Sequence, residues 1–196
     1  MGNRVIALGR QFGSGGREIG RKLSDALGFG YYDRELISLA AQRAEVDERV
    51  FEEKDEKASS PWLFKGFYDG GPRVQQGQSA EDVLFQMQSE VILELAAKEN
   101  CIIVGRCADY ILQDKADCLK VFIHADMKFR AERIVKVYGE REQSPEDRLL
   151  DKDKRRVAYH RFYTNMKWGH AQNYHLTLDS GVIGIDKCVD IIAELY

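Results

Sequence analysis

The stretch Gly9-Arg10-Gln11-Phe12-Gly13-Ser14-Gly15-Gly16-Arg17 constrains this chain more than any other. It joins a short apolar run, Val5 to Leu8, to a segment whose apolar residues Ile19, Leu23, Ala26 and Leu27 fall on one helical face. Glycines between a strand and a helix let the backbone turn tightly and approach an anion closely. Successive N–H groups then point inward, and the helix dipole adds partial positive charge. The setting therefore reads Gly13, Ser14, Gly15 and Gly16 as a phosphate cradle. The plainer alternative is a turn that only packs a helix against a strand.

Apolar runs and helical periods alternate along the remaining chain. Strands are expected at Phe29 to Tyr32, Cys101 to Val104, Leu119 to Ile123 and Leu176 to Leu178. Gly28 reads as the stop of the first helix. Asp33 reads as the cap of a second helix carrying Leu36, Ile37, Ala40 and Ala41, and Asp47 as the cap of a short third one. Ser59 to Gln78 is the least regular stretch, although its aromatic residues argue against simple disorder. A long helix is expected from Ser79 to about Glu99, with Val83, Leu84, Met87, Val91, Leu95 and Ala96 on its face. Met127 to Tyr138 is another. Ser144-Pro145 caps and starts the next, and Ile185 to Leu195 is the last. Continuous apolar strands, each followed by a helix, indicate a parallel sheet covered on both faces, with ligands at the carboxyl ends of its strands.

A length of 196 residues suits one domain. With 29 basic and 32 acidic residues, the net charge of −3 predicts no broad nucleic-acid footprint. The four cysteines lack metal-type spacing and read as reduced thiols of a cytoplasmic protein. No apolar run approaches membrane-spanning length, so no membrane partner is expected.

The glycine run departs from the standard P-loop. Aligned by the following helix, Gly16 takes the position of the phosphate-binding Lys. Arg17 and Glu18 stand where the hydroxyl residue would fall. An Arg fork matches phosphate oxygens, so Arg10 or Arg17 is expected to supply the charge.

The run Gly9 to Ile19, the segment Tyr32-Asp33-Arg34-Glu35-Leu36, and Val104-Gly105-Arg106-Cys107-Ala108-Asp109-Tyr110-Ile111-Leu112 together resemble the cytidylate kinase-like family of P-loop proteins. Tyr159 to Thr164, Lys167-Trp168-Gly169 and Asn173-Tyr174 extend the resemblance. It implies an α/β P-loop NTPase fold: a five-stranded parallel sheet flanked by helices, an acceptor-binding insertion over about 34–100 and a lid over about 134–165. It implies phosphoryl transfer from ATP, with Mg²⁺, to a nucleoside monophosphate such as CMP or dCMP. Arg106 matches a residue that contacts the acceptor, and Arg130 and Arg133 match paired arginines at the start of the lid. The Arg155, Arg156 and Arg161 region lies where lid arginines return to the phosphates. The expected catalytic set is thus Arg17, Arg106, Arg130, Arg133, Arg156 and Arg161. Arg10, Gly13 to Gly16, Arg17 and Glu18 are expected to bind ATP.

Asp33 and Asp109 are candidate acceptor-binding residues, with a helix cap as the alternative role for Asp33. No metal site made of protein ligands is expected. Asp151 and Asp153 read as a salt-bridged helix surface, and Tyr159, Phe162, Tyr163 and Trp168 as core packing. Two further functions remain open: a nucleotide-binding sensor without turnover, and a kinase for another small metabolite.

Overall fold

The computed structural model describes residues 2–44, 80–114 and 117–196. The expected helix capped by Asp47, the cap at Ser79 and the irregular stretch 59–78 lie outside the described residues. In chain order the described elements are β1 (Val5–Arg10), α1 (Gly16–Leu27), β2 (Gly30–Tyr32), α2 (Glu35–Ala44), α3 (Ala80–Lys98), β3 (Cys101–Val104) and α4 (Ala108–Ile111). Then come β4 (Cys118–His124), α5 (Met127–Tyr138), α6 (Pro145–Thr164), β5 (Leu176–Asp179), α7 (Ser180–Ile183) and α8 (Ile185–Ala193).

All five strands are parallel, in the order β2-β3-β1-β4-β5. The period of two along β1 divides its side chains between two cores. Ile6 and Leu8 pack with Ile19 and Leu23 of α1 and with Cys188, Val189 and Ile192 of α8. Val5 and Ala7 face the other way, onto Val91, Ile92 and Ala96 of α3 and Leu112 after α4. Ile19 and Leu23 are fully buried, each worth about 1.5–3 kcal/mol of transfer free energy. Ile37, Ala40 and Ala41 of α2 meet Val83, Leu84 and Met87 of α3 in a separate cluster.

Turn chemistry fixes the helix ends. Gly15 at φ 81° precedes α1 and Gly28 at φ 66° ends it, both left-handed positions that favour glycine. Ser144 caps α6 by accepting from the Asp147 N–H at 3.2 Å, and Pro145 opens that helix. Arg148 reaches back from α6 to the Gly139 carbonyl at 3.0 Å, holding the turn after α5. The four cysteines are buried free thiols. No described helix is long and apolar enough to cross a membrane.

Asp33 does not cap α2. The helix begins at Glu35, two residues on, and the Asp33 N–H donates to Glu35 Oε2 at 3.1 Å. Its carboxylate is drawn to two arginines instead. Phe162 is no core residue either: 75% of it is exposed, with its ring edge-on to Tyr163. Tyr159 and Tyr163 pack against Phe85 of α3, and Trp168 against Phe122.

Candidate phosphoryl-transfer site

The loop between β1 and α1 is held from three sides. Ser14 is buried, and its hydroxyl donates to the Gln11 carbonyl at 2.9 Å. The Ser180 hydroxyl, at the end of β5, reaches the Ser14 carbonyl at 2.6 Å and the His124 carbonyl at 3.1 Å. Asp153 of α6 accepts the Phe12 N–H at 2.8 Å. Gly13 and Gly15 adopt φ of 82° and 81°. A Cβ at Gly13 would stand 2.9 Å from the Arg130 carbonyl, so the loop backbone also lies directly against α5.

Arginines converge on this loop. Asp33 is 6% exposed, with Oδ1 3.2 Å from Arg10 Nη2 and Oδ2 2.6 Å from Arg17 Nε. Arg106 follows Gly105 after β3. Residues 105, 106 and 107 all have positive φ, of 79°, 57° and 55°. Two successive non-glycine residues in the left-handed region store strain of a kind that gathers at functional sites. Burial, then the neighbouring Arg156, presses the Arg10 pKa down to about 9, with Asp33 opposing. Burial likewise lowers Arg106 to about 10, with Tyr159, Arg10, Asp33 and Arg17 as its charged or titrating neighbours. Burial also lowers Arg156, whose Nη1 donates to the Arg10 carbonyl at 3.2 Å. Lys152 is pushed down to about 8 by burial and then by Arg155, Arg156, Arg34 and Arg17. Burial is the largest cause for each of these cations, and their mutual repulsion adds to it, so an anion placed among them would be stabilised.

The sequence-derived candidates separate on this geometry. Arg10, Arg17, Arg106, Arg156 and Asp33 come together, with the Arg10 stem against Gly16, while Arg133 Nε stands 3.4 Å from where a Cβ at Gly15 would be. Arg130 is buried and braces instead: Nη1 donates to Asp153 Oδ2 at 2.6 Å and to the Phe12 carbonyl at 3.3 Å. Arg133 pairs with Glu18, Nη2 to Oε2 at 2.5 Å. Arg161 is exposed, about 140° around the helix from Arg156 at roughly 100° per residue. Asp109 is engaged away from the loop, accepting from His160 Nε2 at 2.9 Å; His160 Nδ1 lies 3.1 Å from the Thr164 hydroxyl. That buried relay fastens α4 to α6.

Sequence reasoning missed two residues. Asp153 is no surface ion pair: it braces the loop and Arg130, while its neighbour Asp151 is exposed and accepts from Gln143. Lys152 belongs to the cationic group. Lys152 and Arg156 share a helical face with Tyr159, a spacing visible in the sequence once Arg156 is placed.

A glycine loop between β1 and α1, at the carboxyl edge of a parallel sheet ordered 2-3-1-4-5, defines a kinase-like P-loop fold. The model of the cytidylate kinase-like family matches residues 5–182, and the chain belongs to that family. A crystal structure of an uncharacterized protein from Eubacterium ventriosum ATCC 27560 is similar at 26% identity and TM-score 0.72, covering 98% of both chains. Shikimate kinase from Acinetobacter baumannii, solved with shikimate, shares the fold at 15% identity and TM-score 0.55, over 98% of this chain and 92% of that one. A gluconokinase from Sinorhizobium meliloti 1021 does so at 12% identity and TM-score 0.55, over 98% and 93%. No curated protein matches the sequence significantly.

Proposed function

We propose that this protein transfers the terminal phosphoryl group of ATP to a nucleoside monophosphate, with CMP or dCMP as the favoured acceptor. The observation that carries the reading is the gathering of Arg10, Arg17, Arg106 and Arg156, with the Arg10 stem against Gly16 of the glycine loop. Family membership supports phosphoryl transfer, and the resemblance of the Gly105-Arg106 segment favours the nucleotide acceptor. In the reaction, the bond from the terminal phosphorus to its bridging oxygen breaks. A bond from that phosphorus to an acceptor oxygen forms, and ADP leaves.

The chain's own groups would do three things. Backbone N–H groups of Gly13 to Gly16 would hold ATP phosphates at the start of α1. Arg106 would orient the acceptor, and Arg17 and Arg156 would neutralise charge that builds up during transfer. Magnesium, when bound, lowers the charge on the transferring phosphates. Among the described residues no group of three His, Cys, Asp or Glu side chains could hold a metal. Glu18 and Asp33 are already tied to arginines. These residues fit a metal held through phosphate oxygens and water, the usual habit of Mg²⁺.

An assay coupling ADP release to a readout, with ATP, Mg²⁺ and a panel of CMP, dCMP, UMP, AMP and GMP, tests the proposal. Turnover is expected with at least one acceptor, and none above background sinks the nucleotide reading. One observation favours a sensor without turnover: Arg17 stands at the hydroxyl position of the loop and is paired to Asp33. Nucleotide binding by calorimetry without ADP release would select that reading.

A further inference from the structure

Counting the general pattern G-x-x-x-x-G-K-[ST] back from Gly15 puts its first glycine at position 10 and its Lys at position 16. This chain has Arg10 and Gly16 there, so the glycine and the cation have traded places. The structure supplies a reason why both positions differ together. A Cβ at Gly16 would stand 2.5 Å from Arg10 Cβ and 2.8 Å from Arg10 Cγ. The Arg10 stem therefore lies where a side chain at position 16 would leave the loop. Farther out, a Cβ at Gly105 would overlap Arg10 Nη1. Two glycines on separate loops make the channel through which Arg10 runs.

The head group at the end of that channel has unused capacity. Its Nε is buried and has no hydrogen-bond partner. Its Nη2 meets Asp33 at 3.2 Å, a long contact for a charged pair. A buried N–H without a partner costs free energy and calls for an explanation, and an anion is the partner a guanidinium lacks. Arg17 is placed differently. It stands on α1 with 36% of its side chain exposed; its Nε likewise makes no hydrogen bond, but lies 2.6 Å from Asp33 Oδ2 and so faces that carboxylate.

We propose that Arg10 is a relocated P-loop cation, reaching the phosphates of a nucleotide from the strand side of the loop, and that position 16 is glycine because Arg10 occupies its space. The proposal rests on the nucleotide reading above and assigns within it a role that Arg17 does not share.

Calorimetric titration with ADP, alongside thermal melting, tests it on the wild type, Arg10→Met, Arg17→Met, Gly16→Lys and the double variant Arg10→Gly/Gly16→Lys. Arg10→Met keeps the stem and removes the charge; its ADP affinity is expected to fall roughly 10- to 100-fold, the worth of a charge-assisted bond, with little change in melting. Arg17→Met is expected to keep ADP affinity within about threefold of wild type while its phosphoryl transfer falls, as a residue facing Asp33 and acting on charge that builds up only during transfer should. Gly16→Lys alone is expected to melt early, because its stem and that of Arg10 collide. The double variant removes the collision and returns a cation, so it is expected to melt higher than Gly16→Lys and to bind ADP more tightly than Arg10→Met.

Arg10→Met binding ADP like the wild type overturns the proposal while leaving the nucleotide reading intact. So does Arg17→Met losing as much affinity as Arg10→Met, or a folded double variant no tighter than Arg10→Met. A folded wild type that fails to bind ADP overturns the nucleotide reading, and the assignment with it. Should the double variant not fold, the comparison of Arg10→Met with Arg17→Met decides.

Discussion

Asp153 Oδ1 accepts the backbone N–H of Phe12 at 2.8 Å, joining the glycine loop to a helix 141 positions further along the chain. The same carboxylate takes Arg130 through Oδ2 at 2.6 Å and lies 3.7 Å from Arg156. One acidic side chain thus holds the loop, α5 and α6 in register.

Replacing Asp153 with Ala is expected to be severe. It would leave the Arg130 guanidinium, 7% exposed, without its counter-charge. Breaking one side of a buried pair costs about 3–5 kcal/mol. Urea unfolding should show that loss, and Asp153→Asn, which can still accept from Phe12, should lose less. A change below about 1 kcal/mol for Ala would mean that the brace is dispensable.

Arg106 is held at φ 57°. Arg106→Gly removes the left-handed strain but adds chain entropy on unfolding, so its stability is expected within about 1 kcal/mol of wild type. Its phosphoryl transfer should be lost. Arg106→Val brings a β-branched side chain to the same backbone and should melt lower than Arg106→Gly. Equal melting temperatures for the two variants would show that the turn relaxes when the Arg is gone.

Lys152 sets a pH dependence. Its pKa lies near 8 in the folded state, lowered by burial and by Arg155, Arg156, Arg34 and Arg17, against 10.5 as its ordinary value. Between those values the unfolded chain binds more protons at this residue, so its contribution to stability rises with pH there. Below about pH 8 the full penalty of a protonated Lys152 is present. Lys152→Met is therefore expected to melt above wild type at pH 7, with the gap narrowing from pH 8 to 10.5. A gap independent of pH would assign the difference to packing alone.

Glu18 competes for Arg133, Nη2 to Oε2 at 2.5 Å. Under the proposed function, a nucleotide phosphate at the start of α1 lies beside this pair. Glu18→Gln should then raise ADP affinity by a few fold, about 0.5–1 kcal/mol for a partly exposed charge near a helix N-terminus. Titrations at two salt concentrations check it, since a phosphate with one more cation available should show the steeper salt dependence. Unchanged affinity would place the phosphates away from Arg133.

The sheet was legible because its strands are continuous apolar runs. Cys101–Val104 has the expected bounds, as does helix Met127–Tyr138. The helices at Ala108–Ile111 and Ser180–Ile183 were not visible, since four residues are too few to display a period. Ile92 is buried on α3 although the expected face omitted it, because α3 packs against both the sheet and α2. Around the site, charge hid the answer. Residues 151–156 read Asp-Lys-Asp-Lys-Arg-Arg, and composition does not say which of them turn inward. Asp33 misled for a related reason: a carboxylate just before a helix is the usual mark of a cap, and only the fold brings Arg10 and Arg17 to it.

The paired glycines beneath Arg10 also bear on how such a loop could arise by descent. From a loop with Gly at 10 and Lys at 16, gaining the Arg first sets two stems against each other at 2.5 Å. Losing the Lys first leaves an intermediate with no cation from either position. Position 105 is tied to the pair as well, since a side chain there would displace the Arg10 head from its present place. The two loop types are thus separated by a valley, and lineages on either side should keep residues 10, 16 and 105 as a linked set.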